Sequence, residues 1–174
     1  MFREFSVKPK PTNNKARALF IICMMVAFSF VMLSTIIPLY NGIVGLIGVV
    51  FLVLAMTLYT KYIAPIYFYD LMSDSDGTPL LVIRQQTGKR YSTLCRMELG
   101  NVVKVEKESR KQRCEHKTPD GVVKYSYLPT LDPDYSYRIT VYGNYERSEI
   151  LIECSEEFAD LLLSYTKEIS EYND

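Results

Sequence analysis

The chain has 174 residues and no net charge, but residues 61–174 carry 15 lysines and arginines against 19 aspartates and glutamates, a net charge of −4. This acidic balance excludes a typical nucleic-acid-binding domain, which needs clustered cations. The four cysteines show no paired short spacing, which excludes a disulfide framework. The sequence also lacks G-x-S-x-G, H-E-x-x-H, P-loop and G-x-G-x-x-G signatures, so we predict no catalytic residue, metal ligand or cofactor.

A stretch of 43 residues without a charged side chain runs from Ala18 to Thr60. As one helix it would be about 65 Å long, roughly twice the thickness of a bilayer's hydrocarbon core. Pro38 disfavours helical geometry in its neighbourhood, and Asn41-Gly42 is typical of a turn. The sequence therefore predicts a two-helix transmembrane hairpin over 18–64, with spans of about 19–37 and 43–62 and a loop at Pro38–Gly42.

The residues that flank the two spans indicate their orientation. Residues 1–17 hold five cations and one glutamate, and Lys61 follows the second span. The positive-inside rule places the basic tail (1–17) and the domain after the hairpin in the cytoplasm of a multi-pass plasma-membrane protein. A cleavable signal peptide is the alternative for the first span, but no small-residue cleavage pattern follows it.

The region 65–174 alternates between turn dipeptides and short runs of branched or aromatic residues, which is typical of a β domain. Short connections favour an antiparallel meander. Alternation places Val103 and Val105 on one face of their strand, and it places Arg138 on the polar face, opposite Ile139. The predicted strands are 66–72, 79–86, 91–95, 100–108, 122–127, 136–142 and 149–154.

The last segment changes from strand to helix periodicity. Ser155 is a good N-cap, and apolar residues then recur at three- and four-residue steps over 156–172. We expect this C-terminal helix to plug an open, strongly bent sheet. Its predicted buried face consists of Phe158, Leu161, Leu162, Tyr165, Ile169 and Tyr172.

Seven strands capped by a C-terminal helix resemble the pleckstrin-homology-like (PH-like) superfold, and two spans leading into such a domain are similar to a widespread bacterial arrangement of membrane-anchored PH-like proteins. The stretch VIRQQTGKRYSTLCRMELGNVVKVE (82–106) resembles the segment of those proteins that runs from one strand through a Gly-Arg turn into the next. A lipocalin-like or other small β-meander fits the same order of elements. The resemblance implies an α+β membrane protein that acts as a scaffold or interaction module. It does not imply phosphoinositide binding, because the loop between the first two predicted strands, Asp74–Gly77, is acidic.

The segment 104–117 is the most basic part of the domain, with six cations and three glutamates. It is either a membrane-surface contact, with about 1 kcal/mol per cation close to anionic headgroups, or a solvated strand end and loop. Cys114 and His116 are too few ligands for a metal site. The candidate contacts are Lys104, Lys107, Arg110, Lys111, Arg113 and Lys117.

Gly42, Gly45 and Gly48 recur at the start of the second span, and small residues allow helices to approach closely in lipid. We expect them to pack the two legs of the hairpin; the alternative is contact with another membrane protein. The residues predicted to anchor the spans at the membrane interface are Tyr40, Tyr59, Tyr62, Tyr67 and Tyr69.

Two tyrosine pairs, Tyr125 with Tyr127 and Tyr135 with Tyr137, flank a linker rich in proline and aspartate. They either present a tyrosine patch to a partner or bury their rings at the edge of the sheet. The expected function is a membrane-anchored, non-catalytic interaction or scaffold module at the cytoplasmic face. Its expected partners are the lipid bilayer and another membrane or cytoplasmic protein, with no nucleic acid and no small-molecule substrate. The alternatives are an accessory subunit of a transporter or envelope-synthesis complex, an enzyme with a nonstandard site, and a module that binds anionic headgroups.

Overall fold

The computed structural model describes residues 4–9, 13–36, 41–143 and 146–173, and the chain forms two compact units. The helix unit comprises residues 11–65. The β unit comprises residues 66–174 together with residues 1–10, so the predicted basic tail 1–17 is divided between the two units.

The helix unit contains two long helices, α1 (Asn14–Ile36) and α2 (Asn41–Leu58), and a π-helical turn (Tyr59–Ile63) continues α2. Both helices are long and apolar enough to cross a membrane, and only 17% and 11% of their apolar windows are buried in the protein. This exposure distinguishes them from the core helices of a water-soluble fold, whose apolar residues are mostly covered.

The observed starts of both helices differ from the predicted ones. The first helix starts five residues before the predicted Leu19 and includes Lys15 and Arg17. Asn41 and Gly42, predicted as a turn, begin α2 instead, since Asn is favoured at helix N-termini as well as in turns. The remainder of the predicted loop, residues 38–40, lies outside the described residues, as does residue 37, the predicted end of the first span.

The described part of the β unit forms two four-stranded sheets, with strand orders β1-β2-β3-β4 and β5-β7-β8-β6. A short helix α3 (Arg110–Glu115) follows β5, and α4 (Glu156–Asn173) ends the chain, close to the predicted 156–172. The strands are β1 Phe5–Val7, β2 Pro65–Ser73, β3 Pro79–Thr87, β4 Arg90–Glu98, β5 Val102–Ser109, β6 Val123–Ser126, β7 Tyr135–Tyr142 and β8 Arg147–Ile152.

All seven predicted strands are present, but their arrangement corrects the predicted antiparallel meander twice. β1, from the N-terminal tail, pairs antiparallel with β2, with Val7 opposite Tyr69. β6 runs parallel to β8 at the outer edge of the second sheet, because the linker after β6 lets the chain cross to β7 before β8 forms. Both pairings join segments that are distant in sequence.

The apolar core lies between the inner faces of the two sheets and the inner face of α4. Phe158 and Leu162 of α4 are fully buried there, and Leu161 and Tyr165 pack against the core, as predicted. The side chains of the other two predicted members of this face lie outside the described residues. The sheets contribute Tyr67, Tyr69, Leu71, Leu81, Ile83, Met97, Leu99, Tyr137, Ile139, Val141, Ile150 and Ile152.

A β-bulge in β5 breaks the predicted alternation. The register shifts between Val102 and Lys104, so Val103 is 65% exposed while Val102 and Val105 pack against the core. An extra residue in one strand reverses the faces of its neighbours. The prediction that Val103 and Val105 share one face of their strand is therefore wrong.

Two of the tyrosines predicted as membrane anchors belong to the core instead. Tyr67 and Tyr69 are 7% and 0% exposed. The Tyr69 hydroxyl donates to the Tyr127 carbonyl at 2.9 Å and accepts from the Glu153 amide at 3.3 Å, and burial raises the pKa of Tyr69. Tyr59 and Tyr62 lie in the turn that ends α2, and Tyr40 lies outside the described residues.

Candidate functional site

The cations of segment 104–117 are mostly paired with carboxylates of the same unit. The pairs are Lys104 with Glu106 at 2.7 Å, Lys107 with Glu156, Arg110 with Asp132 at 2.8 Å, Lys111 with Glu115 at 4.0 Å and Arg113 with Asp132 at 3.4 Å. Lys117 alone of the six has no ion pair with a described residue. These ion pairs weaken the positive electrostatic potential that would attract anionic headgroups. The membrane contact predicted for this segment stays a prediction.

Arg113 points inward and fastens α3 to the second sheet. Its guanidinium donates to the Ser136 hydroxyl at 3.0 Å and to the Pro133 carbonyl at 2.7 Å. The helix itself begins with a capping box between Ser109 and Gln112, which fixes its N-terminus. Arg113 therefore has a structural role, because it holds α3 against β7.

Beneath α3 lies a buried ion cluster, which no local sequence pattern predicted. Arg138 of β7 is 2% exposed and lies between Glu108 of β5 and Glu149 of β8. Its Nη2 donates to Glu108 Oε2 at 2.8 Å, and its Nη1 donates to Glu149 Oε2 at 2.7 Å. Arg138 Nε lies 2.7 Å from Glu108 Oε1, close enough for an ion pair, but its N–H direction falls outside hydrogen-bond geometry. The predicted polar face of β7 is therefore buried, not solvated.

His116 lies at the margin of this cluster, where its Nε2 is 3.2 Å from Glu149 Oε2. A solvent-open depression of about 370 Å³ begins here, lined by Glu106, Lys107, Glu108, Gln112, Glu115 and His116. Within the described residues no group of three or more His, Cys, Asp or Glu side chains is arranged to hold a metal ion. The neighbouring Cys114 is the exposed thiol of the β unit, while Cys95 is half-buried and Cys154 is buried.

The two tyrosine pairs each divide into an exposed and a covered ring. Tyr125 is 45% exposed and stacks on Tyr127, which packs against the core; Tyr135 is 42% exposed and meets the buried Tyr137 edge-on. The exposed ring of each pair is therefore available for contact with a partner, and the covered ring of each pair packs within the β unit. All four residues of β6, Val123–Ser126, are exposed, and no described strand pairs with its outer edge.

The glycines of α2 differ in what they face. A Cβ on Gly48 would meet Val31 Cγ2 at 3.2 Å and the Ala27 carbonyl at 3.3 Å on α1. A Cβ on Gly45 would lie at ordinary contact distance, 3.9 Å from Ser34 Cβ, whereas one on Gly42 would meet nothing within 4 Å. Gly48 and Gly45 therefore face α1, whereas Gly42 does not, and the packing role that we expected of the three glycines stays a prediction.

The surface of the β unit offers open depressions with volumes of about 220 to 470 Å³. The comparison of this chain with family models, curated proteins and solved structures finds no match to any of them.

Proposed function

We propose that this protein is a membrane-anchored, non-catalytic interaction module that displays a PH-like β domain at the cytoplasmic face of the plasma membrane. The helix pair serves as a two-span anchor, and its long, exposed apolar surface supports this role. The five cations of residues 1–17, together with Lys61, support a cytoplasmic location for both ends of the anchor.

The observation that carries the proposal is the pairing of β1 with β2. β1 precedes the helix pair in the chain and β2 follows it, yet Phe5, Ser6 and Val7 pair with Leu71, Asp70 and Tyr69 in one sheet. Strands of one sheet share one side of a membrane. The pairing therefore supports an even number of crossings between β1 and β2, which a two-span hairpin would supply.

The architecture of the β unit supports the PH-like assignment in part. Two four-stranded sheets enclose one core, and a C-terminal helix covers its open side. β1 and the parallel edge strand β6 depart from the seven-strand pattern, and neither departure disturbs the order β2-β3-β4 or the antiparallel run β5-β7-β8. A filled core with open surface depressions suits binding through a surface better than catalysis in a pocket.

The free edge of β6 is the surface that we assign to partner binding. An extended segment of a partner can add to such an edge through main-chain hydrogen bonds. Tyr125 can be replaced by a photo-crosslinking phenylalanine analogue, with the same replacement at Tyr142, which is 59% exposed elsewhere, as the matched control. We expect a discrete adduct in cells from position 125 alone; no adduct, or equal adducts at both positions, contradicts the assignment.

The orientation is tested by the thiol of Cys114. A membrane-impermeant maleimide should leave Cys114 unlabelled in intact cells and label it after permeabilisation, since it is exposed on the β unit. The Cys114→Ser variant is the control for labelling at other cysteines. We expect little labelling of Cys95 and Cys154, because burial raises the pKa of the Cys95 thiol and raises that of Cys154 to about 12, which disfavours the reactive thiolate. Labelling of Cys114 in intact cells would refute the cytoplasmic location.

A further inference from the structure

Both covalent connections to the helix unit leave the first sheet at the same end. β1 runs antiparallel to β2, so the chain leaves β1 toward α1 near the residues where β2 begins. At that start, Ala64 alone separates the helical turn ending at Ile63 from Pro65. An extended residue spans about 3.5 Å, so the covalent chain alone keeps Pro65 within about 7 Å of that turn. We call this the connection end of the sheet.

The β3–β4 turn lies at the connection end as well. β2 leads through the turn Asp74–Thr78 into the neighbouring β3, which returns to the start of β2. Thr87 at the end of β3 pairs with Arg90 at the start of β4, and Gly88 makes the turn with a φ of +62°. The Phe68 and Tyr91 rings are 6.0 Å apart, so the first halves of β2 and β4 lie at the same end of the sheet, on either side of β3.

The two ends of this sheet carry opposite charge. The stretch 77–97 holds four cations and no acidic residue. Arg84 and Arg96 are neutralised by Asp70 at 2.5 Å and by Asp74 at 2.6 Å. Lys89 and Arg90, at the connection end, are exposed and have no ion pair with any described residue. The acidic turn Asp74–Thr78 lies at the far end.

We propose that the β3–β4 turn, with Lys89, Arg90 and Tyr91, docks on the anionic headgroups of the membrane that the helix pair crosses; this rests on the membrane anchoring proposed above. Neighbouring strands are about 4.8 Å apart, so the start of β4 lies roughly 10 Å across the sheet from Pro65. That separation is close to the Debye length of about 8 to 10 Å, within which anionic lipid attracts cations. Tyr91 is 61% exposed, as a ring at a membrane interface would be.

This contact between the β3–β4 turn and the membrane orients the β unit. With the connection end against the lipid, the acidic turn faces the cytoplasm, which keeps its carboxylates away from the negatively charged surface. The segment 104–117, whose cations are paired with carboxylates, is then not needed for membrane contact. The occupant is a bilayer surface and not a soluble anion, because two chain connections deliver the turn to the membrane.

The test uses the full chain in nanodiscs, with a spin label on Thr87→Cys in a Cys114→Ser background. Its immersion depth is measured from collisions with oxygen and with a water-soluble nickel complex. We compare phosphatidylcholine alone with phosphatidylcholine containing about 30 mol % phosphatidylglycerol, and expect headgroup depth only with the anionic lipid. The same label on Ser75→Cys, in the exposed turn at the far end, should report water in both lipids.

The charge dependence is tested by Lys89→Ser with Arg90→Ser. We expect roughly a 30-fold fall in the ratio of docked to free β unit, from about 1 kcal/mol per cation and tenfold per about 1.4 kcal/mol. Lys124→Ser with Arg147→Ser removes the same charge from exposed cations elsewhere and should leave the depth unchanged.

Three outcomes are distinguishable. A label at position 87 that reports water in anionic nanodiscs, in protein that co-purifies with the discs, overturns the docking turn and leaves the anchor intact. An equal loss of depth in both double variants overturns the assignment to Lys89 and Arg90. Protein that does not remain in the discs refutes the proposed membrane anchor itself.

Discussion

The buried ion cluster predicts a large effect for a single substitution, Arg138→Met. Methionine approximates the length of the arginine stem but leaves Glu108 and Glu149, which are 8% and 2% exposed, without their shared cation. Removing one partner of a buried ion pair leaves an uncompensated buried charge and costs about 3 to 5 kcal/mol. Since most domains are stable by only about 5 to 15 kcal/mol, this is a substantial part of the free energy of unfolding.

A surface pair in the same unit supplies the matched control. Arg96 also meets a carboxylate, Asp74, at 2.6 Å, but the two side chains are 55% and 39% exposed. Exposed pairs contribute about 0 to 1 kcal/mol, so Arg96→Met should be close to neutral. The two substitutions remove the same chemical group, and burial alone separates their expected effects.

The assay is urea unfolding of the full chain in nanodiscs, followed by the near-ultraviolet circular dichroism of the core tyrosines. Combining Arg138→Met with Glu108→Gln and Glu149→Gln removes the uncompensated charges, and we expect it to recover most of the lost stability. A loss of less than about 1 kcal/mol for Arg138→Met, or a triple variant as unstable as the single one, would contradict the expected cost of the uncompensated carboxylates.

Three further effects follow from the contacts. Tyr69→Phe should cost about 1 to 3 kcal/mol in the same assay, because a partly buried carbonyl and a partly buried amide lose their shared partner, whereas Tyr91→Phe should be neutral. Gly48→Leu should lower the midpoint of unfolding in sodium dodecyl sulfate, since its side chain overlaps α1, and Gly42→Leu should not; equal effects would contradict the packing. Burial raises the pKa of Tyr127 to about 12 from 10.0, so the folded state holds a proton that the unfolded chain releases earlier. The contribution of Tyr127 to the free energy of unfolding is therefore fully present below pH 10 and is lost as the pH rises toward 12. Urea titrations at several pH values will test this dependence.

Local patterns were sufficient to predict most of the elements. The seven predicted strands and the helix over 156–172 lie within a few residues of the observed ones, because each follows from hydrophobic periodicity and turn residues inside one short window. The same window predicts the buried face of α4. It does not reveal β1, whose three residues become a strand only by pairing with β2 more than 60 residues away.

The candidate sites depended on contacts that no local pattern contains. Alternation places Arg138 on the polar face of β7, but α3 and the linker after β6 decide that this face is buried. The charges of 104–117 are visible in the sequence, whereas their neutralisation depends on remote partners such as Glu156 for Lys107. That Lys89 and Arg90, unlike Arg84 and Arg96, have no ion pair with a described residue follows from the tertiary contacts alone.

Two long apolar helices and one β domain follow from local sequence alone, since the length of a charge-free stretch and the period of apolar residues need no tertiary contact. The tertiary structure decided which segments share a sheet, which charges are paired and which end of the first sheet receives both connections. These features depend on long-range pairing, whose free energy comes from contacts between residues far apart in the chain.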